Sequence, residues 1–183
     1  MLYPSPVRTA RPVPVLALLS LAVVAVVAAA CGGSSTSSSG STTVPSGTSK
    51  SGLPAVAHAT NTNMEPVVSP GGSPAPTKLL TKDLVVGTGT VATSSSTVQV
   101  KYVGAAYTSG QDFTSSTWTQ GKATSFSLHT VVPGFAEGIV GMKVGGRREI
   151  VIPPALGYGS SGSGSVIKPN ETLVFVVDLE GVS

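Results

Sequence analysis

The chain has 183 residues, enough for about one domain of moderate size, and 40% of them are hydrophobic. Eleven basic and eight acidic residues give a formal net charge of +3, which would fall to +1 if Arg8 and Arg11 were removed with an amino-terminal signal. A nearly neutral domain has no electrostatic reason to bind nucleic acid, so that class of function is excluded.

An apolar run from Val13 to Ala30 follows these two arginines and is rich in Ala, Val and Leu. Its length suits the hydrophobic region of a signal peptide and is somewhat short for a membrane-spanning helix. We therefore interpret residues 1–30 as a signal peptide and predict an exported protein. A permanent membrane anchor is the alternative.

Cys31 is the only cysteine in the chain, so no intramolecular disulfide can form. The small residues before it, Ala28-Ala29-Ala30, resemble the lipobox of bacterial lipoproteins, in which the cysteine is acylated and becomes the first mature residue. The resemblance implies a lipid anchor on the outer face of the cell membrane. Ala28 stands where the motif usually has a larger aliphatic residue, so ordinary signal cleavage and secretion, with Cys31 an inert thiol, is the alternative.

Residues 31–63 are dominated by Ser, Thr and Gly. Such a composition buries too little apolar surface to offset its conformational entropy, so we predict a disordered tether. His58 is interpreted as a spacer residue rather than a metal ligand. The folded domain is expected to begin near Met64 and to run to residue 183.

Short alternating segments between Lys78 and the carboxyl terminus predict about five antiparallel strands. They are residues 78–86, 97–102, 125–128, 147–152 and 172–179. After Pro133, the residues Phe135, Ile139 and Met142 fall at i, i+4 and i+7, which predicts one short amphipathic helix. The fold class is therefore α+β, with one helix packed on an antiparallel sheet.

The polar residues of this region do not suggest hydrolytic chemistry. His129 is the only histidine after residue 58, no G-x-S-x-G segment is present, and nothing places a carboxylate beside His129. Arg147, Arg148 and Glu149 alternate across a predicted strand, which we interpret as solvated charge. No metal and no cofactor is expected.

Five segments of this region form a pattern: VQVKYVG (98–104), FTSS (113–116), VVPGFAEGIVGMKVGGRREIVIPP (131–154), GYG (157–159) and TLVFVVDL (172–179). In order and spacing they resemble the FKBP-type peptidyl-prolyl cis-trans isomerases. The resemblance implies a bent antiparallel half-barrel wrapped around the short helix. It also implies isomerisation of X-Pro bonds in an apolar pocket that stabilises the twisted amide.

The resemblance also assigns the pocket residues by position. The residues expected to carry catalysis are Tyr102, Phe113, Phe135, Tyr158 and Phe175, with the Tyr158 hydroxyl donating to the substrate amide carbonyl. The remaining substrate-binding positions are Val131, Val132, Val166, Ile167 and Thr114, with the Val132 N–H donating to a second substrate carbonyl. The implied partners are X-Pro segments of unfolded or exported proteins and macrolides of the tacrolimus and rapamycin type. A monomer is expected.

The sequence departs from the family pattern at three places. Thr114 replaces the usual aspartate and would weaken macrolide binding, because a neutral hydroxyl lacks the charge-assisted hydrogen bonds of a carboxylate. After Ser116 the family usually has an arginine and a second phenylalanine, and the nearest residues here are Gln120 and Thr124. Residues 159–165 lack the His or Pro that is usual in that loop. These departures predict a more open pocket. They leave a second function open, a weakly active or inactive binding module or chaperone for proline-containing segments.

Overall fold

The structure, a computed structural model, describes residues 52–114, 118 and 121–183. The predictions for the signal peptide, Cys31, Gln120 and residues 32–51 lie outside these described residues. Within them, no helix has both the length and the apolar character needed to span a bilayer.

A five-stranded antiparallel sheet forms the centre of the fold. Its strands are β3 (Leu80–Val85), β4 (Thr97–Ala106), β5 (Thr124–Ser127), β6 (Arg147–Ile152) and β7 (Leu173–Val182). Across the sheet they lie in the order β3-β6-β7-β4-β5. Two short strands that precede them, β1 (Val56–Ala57) and β2 (Val67–Val68), pair with each other in a separate ribbon. The predicted α+β class and the five-stranded antiparallel sheet are confirmed.

Strand β4 is longer than the sequence predicts because its pairing with β7 continues beyond Tyr102 to Ala106. Gly104 lies opposite Phe175, and Ala106 lies opposite Leu173. The small residues at 104–106 carry little of the alternating signal by which a strand is predicted. The register of the same pair of strands shifts between Gln99 and Val100, where β7 has one extra residue, Glu180. Bulges of this kind bend a strand and increase its twist.

The helix α1 (Pro133–Ile139) packs on one face of the sheet, which we call the helix face. Phe135 and Ile139 are buried there, as their spacing predicts. Met142 lies beyond the end of the helix, but its side chain is buried in the same core. The helix is therefore shorter than the 135–142 pattern suggests, while all three apolar side chains reach the expected core.

Two glycines allow α1 to lie close to β6. A Cβ atom on Gly134 would come within 2.4 Å of Ile152 Cγ2, and one on Gly138 within 2.5 Å of Ile150 Cγ2. Real carbon atoms do not approach so closely, so a larger residue at either position would push the helix away from the strand.

The opposite face of the sheet, which we call the outer face, is covered by residues from the segment 52–68. Leu53 and Val68 pack on a second apolar cluster that includes Val151 and Tyr107. Tyr107 is fully buried and donates its hydroxyl hydrogen bond to the carbonyl of Gly52 at 3.1 Å. The folded domain thus begins at least as early as residue 52 rather than near Met64. The sequence did not indicate this boundary because residues 52–63 contain few large apolar side chains. Leu53, one of these few, packs on the apolar outer face of the sheet.

A buried ion pair fixes the segment 52–68 to the outer face. Arg147 has no exposed surface and binds Asp178 through two hydrogen bonds, of 2.5 and 2.7 Å. Its guanidinium also donates to the carbonyl oxygens of His58, Asn61 and Met64, at 2.6, 3.0 and 3.0 Å. The prediction that Arg147 is solvated is therefore wrong. The predicted tether, residues 31–63, is wrong for its described part, residues 52–63, and His58 belongs to the fold.

The two neighbours of Arg147 on β6 have different environments. Arg148 lies on the other side of the strand, where it pairs with Asp83 at 2.6 Å and donates to the Gly138 carbonyl. Glu149 is only 1% exposed, and its Oε1 has no hydrogen-bond partner among the described residues. Burial raises the pKa of Glu149 to about 7, although Lys82 on the paired strand lowers it.

The buried carboxyl of Glu149 predicts that stability falls as the pH rises. Between its ordinary pKa of 4.5 and about 7, Glu149 holds its proton in the folded state and loses it in the unfolded state. The free energy of unfolding should then decrease from about pH 4.5 to about pH 7, by up to about 3 kcal/mol, and should not change further above that range. In urea titrations at pH 5 and pH 8, Glu149→Gln should remove this difference, whereas Glu137→Gln on the exposed side of α1 should retain it. An unchanged pH dependence in Glu149→Gln would contradict the assignment.

Candidate active site

A cavity of about 490 Å³ opens between the amino-terminal end of α1 and the helix face of β4 and β7. The structure brings together in its wall all ten residues to which the sequence assigns a pocket role. The lining residues are Tyr102, Phe113, Thr114, Phe126, Thr130, Val131, Val132, Phe135, Tyr158, Val166, Ile167 and Phe175. None of these described residues is an Asp, Glu, Lys, Arg or His, so the cavity wall carries no formal charge at neutral pH.

Aromatic rings form the deepest part of the cavity. Phe135 and Phe175 are buried, with ring centroids 5.1 Å apart and planes at 71°. Tyr102 lies 6.0 Å from Phe135, and Phe113 lies 5.9 Å from Phe175. Edge-to-face contacts of this kind hold aromatic rings in fixed orientations. The rings therefore form a rigid apolar wall rather than filling the space.

Phe126 is the lining residue that sequence reasoning missed. Its ring lies 5.7 Å from Tyr102 and 6.0 Å from Phe135. Phe126 follows Thr124 by two positions on β5, so both side chains lie on the same side of the strand. Thr124 is not among the lining residues, and the second phenylalanine expected near it is supplied by Phe126. The alternation of Thr124, Phe126 and Leu128 in the sequence could have indicated that Phe126 lies on the same side of the strand as Thr124. The rim residue Thr130 was also missed.

Gly104 on β4 provides the space in which two of the pocket rings lie. A Cβ atom there would come within 2.8 Å of Phe175 and within 2.9 Å of both Phe113 and the Thr114 hydroxyl oxygen. The Gly104 N–H also donates a hydrogen bond to Thr114 Oγ1. The absence of a side chain at residue 104 thus allows both rings and Thr114 to approach the strand.

Thr114 is held in the wall from two sides. Its hydroxyl accepts the Gly104 hydrogen bond, and its own N–H donates to Asp112 Oδ1 at 2.6 Å. Asp112 is not among the residues that line the cavity. The position where the family usually has a carboxylate is therefore occupied by a neutral group, and the nearest aspartate in sequence lies outside the cavity.

Hydroxyl and amide donors lie around the apolar wall. Burial raises the pKa of Tyr102, and the neighbouring Tyr158 adds to this effect, so the Tyr102 hydroxyl stays protonated at neutral pH. Tyr158 is 38% exposed, and its hydroxyl can reach a bound peptide. The Val132 carbonyl accepts from the first turn of α1, whereas its N–H has no acceptor among the described residues. Such a donor can bind a substrate carbonyl.

The loop that carries Val166 and Ile167 is closed by two backbone hydrogen bonds. Ser163 and Ile167 exchange N–H···O bonds of 2.9 and 3.1 Å. Gly162 is required in this loop, since it has a φ of +64° and a Cβ atom there would lie 2.3 Å from the Ile167 carbonyl oxygen. Val166 is 61% exposed at the rim, whereas Ile167 is buried against the core.

The described residues contain no group of three or more His, Cys, Asp or Glu side chains that could hold a metal ion. The donors and the apolar wall can bind and orient a peptide. They include no paired base and nucleophile.

Comparison with known proteins identifies the family. The family described as FKBP-type peptidyl-prolyl cis-trans isomerase matches residues 89–180. The chain is 47% identical over 116 residues to an FK506-binding protein of Streptomyces anulatus, covering 62% of this chain and 92% of the relative. The crystal structure of FkpA from Escherichia coli superposes with a TM-score of 0.54 at 39% identity, covering 58% of this chain and about half (49%) of that one. A peptidyl-prolyl cis-trans isomerase from Pseudomonas syringae gives a TM-score of 0.52 at 32% identity, covering 57% of this chain and 75% of that one. The chain therefore belongs to the FKBP-type peptidyl-prolyl cis-trans isomerases.

Proposed function

We propose that the protein isomerises X-Pro bonds of exported proteins by holding the proline in its aromatic cavity. Rotation about the amide bond has a barrier of about 18–20 kcal/mol, because resonance must be broken. The twisted transition state carries less negative charge on its carbonyl oxygen than the planar amide does. A dry apolar site therefore favours the twisted form relative to water, which solvates the planar form better. The uncharged aromatic wall is the observation that carries this proposal.

The donors at the rim would orient the substrate rather than react with it. In this proposal Tyr158 donates to the carbonyl of the isomerising amide, and the Val132 N–H donates to a neighbouring carbonyl. Phe135, Phe175 and Tyr102 would contact the proline ring. Neither a proton transfer nor a covalent intermediate is required, because no covalent bond is broken.

A protease-coupled peptide assay on residues 32–183 tests this function. The wild type should accelerate isomerisation well above the buffer rate, and Phe135→Ala and Tyr158→Phe should each lower kcat/KM by about tenfold, or about 1.4 kcal/mol. Tyr107→Phe is the matched control, because it removes a hydroxyl from the outer face and should leave the rate unchanged. A wild type no faster than buffer would exclude catalysis. Full activity in both cavity variants would exclude the assigned site.

The neutral group at Thr114 favours a second candidate, a binding module or chaperone with little turnover. This candidate predicts binding of proline-containing peptides, measured by calorimetry, without acceleration of the isomerisation. The name of the Streptomyces relative supports a test of macrolides such as tacrolimus and rapamycin as ligands. We expect weaker binding than in proteins with a carboxylate at this position.

The apolar run and the small residues before Cys31 support the proposal that the protein is exported and attached to the membrane through an acylated Cys31. We propose that the exported domain acts as a monomer. More than one acyl chain is needed for stable attachment, because a single chain binds only marginally. Radiolabelled palmitate should appear in the mature protein and should be lost in Cys31→Ala. A mature wild type without label, recovered from the medium, would instead support secretion after ordinary signal cleavage.

A further inference from the structure

A second cleft adjoins the aromatic cavity and shares two walls with it. Phe113 and Val166 line both spaces, so the two are separated only by a ridge formed by these side chains. The second cleft has a volume of about 170 Å³, which suits one side chain rather than a whole ligand. A peptide bound in the cavity would therefore have this cleft directly beside it.

The chemistry of the second cleft differs from that of the cavity. Its wall contains three charged side chains, two of them acidic, together with polar groups of two loops. The residues are Ala106, Ser109, Gln111, Asp112, Phe113, Ser165, Val166, Lys168 and Glu171. The net formal charge of the described wall is therefore −1, beside a cavity wall that has none.

Both carboxylates of the cleft are fixed by the backbone through one oxygen. Asp112 Oδ1 accepts from the Thr114 N–H at 2.6 Å, and Glu171 Oε2 accepts from the Lys168 N–H at 2.9 Å. Among the described residues, the second oxygen of each carboxylate has no hydrogen-bond donor. The two side chains are thus oriented in advance while each retains an acceptor that a ligand can use.

We propose that this cleft is a specificity subsite that receives the side chain of a residue flanking the proline and prefers lysine or arginine there over aspartate or glutamate. The inference rests on the proposed isomerase function. An extended peptide advances about 3.3–3.6 Å per residue, so a residue one or two positions from the proline reaches across the ridge. A cationic side chain would be attracted by two carboxylates and repelled by Lys168 alone. An anionic side chain would be repelled by both carboxylates and attracted by Lys168 alone.

Peptide series with matched substitutions test the subsite on residues 32–183. Each series varies one peptide position, which lies one or two residues before or after the proline, and places Lys, Gln or Glu there. For every peptide kcat/KM is measured at low and at high salt. At one position at least, the Lys peptide should exceed the Glu peptide by about fivefold at low salt, with the Gln peptide between them. High salt should reduce this ratio, since the cleft is open to solvent.

Two isosteric variants assign the preference to the cleft. The double variant Asp112→Asn, Glu171→Gln keeps an oxygen acceptor for both backbone N–H groups and leaves Lys168 as the sole charge of the described wall, so it should bring the Lys-to-Glu ratio to one or below. The ratio is taken within each variant, so a general change in rate does not affect it. Glu137→Gln makes the same kind of charge change at an exposed site outside both spaces and should leave the ratio unchanged. A ratio near one in the wild type at every position, or a ratio unaffected by the double variant, would overturn the subsite. No turnover of the Gln peptide would instead refute the isomerase function itself.

Discussion

Arg147→Ala is expected to lower the free energy of unfolding by about 3–5 kcal/mol. The substitution leaves the carboxylate of Asp178 buried without its partner and removes the donors to three backbone carbonyls in the segment 52–68. An unpaired buried charge costs much more than the pair itself contributes, which is why removal of one partner has so large an effect. Urea titration of residues 32–183, followed by circular dichroism, measures the change.

Lys101→Ala is the matched control for this prediction. Lys101 forms an ion pair of 2.7 Å with Glu180, but the two side chains are 23% and 40% exposed. Water screens such a pair, so its loss should cost no more than about 1 kcal/mol. Equal losses of stability in the two variants would show that the Arg147 pair does not hold the segment 52–68 on the sheet.

Gly104→Ala is expected to reduce kcat/KM by about tenfold or more while the domain stays folded. The new methyl group would lie less than 3 Å from the rings of Phe113 and Phe175, and both rings face the cavity. Close-packed side chains have no free space on the other side, so the rings would move into the volume that the proline occupies. The isomerase assay and a urea titration of the same sample separate the loss of activity from a loss of stability.

Gly181→Ala provides the control for a glycine substitution on the same sheet. A Cβ atom there would contact Gln99 at 3.4 Å, an ordinary van der Waals distance, and Gly181 lies far along β7 from the cavity. This variant should keep the wild-type rate. If Gly104→Ala were as active as Gly181→Ala, the cavity rings would not be positioned by their contact with residue 104.

The helix face was predictable because its pattern is local. The alternation of Val98, Val100 and Tyr102, and the helical spacing of Phe135 and Ile139, each depend on a single element with one buried side. These patterns identify the sheet, the helix and the core between them. The residues of the cavity came from resemblance, since periodicity cannot distinguish an aromatic ring that lines a cavity from one that fills the core.

The outer face was not predictable in the same way. Arg147 and Glu149 alternate along β6 as solvated residues do, and the carbonyls that Arg147 binds lie more than eighty positions earlier in the chain. Local periodicity does not report such a partner. Phe126 was missed for a different reason: the aromatic position was expected at Thr124, and the local alternation that points to Phe126, the next residue on the same side of β5, was not used.

Gly52 and Leu53 mark the side of the sheet on which the described chain enters the folded domain. Both residues contact the outer face, and the aromatic cavity opens on the other side of the sheet. The described chain therefore enters the domain on the side away from the cavity. A carrier or a solid support joined ahead of residue 52 would leave the catalytic opening accessible to peptides.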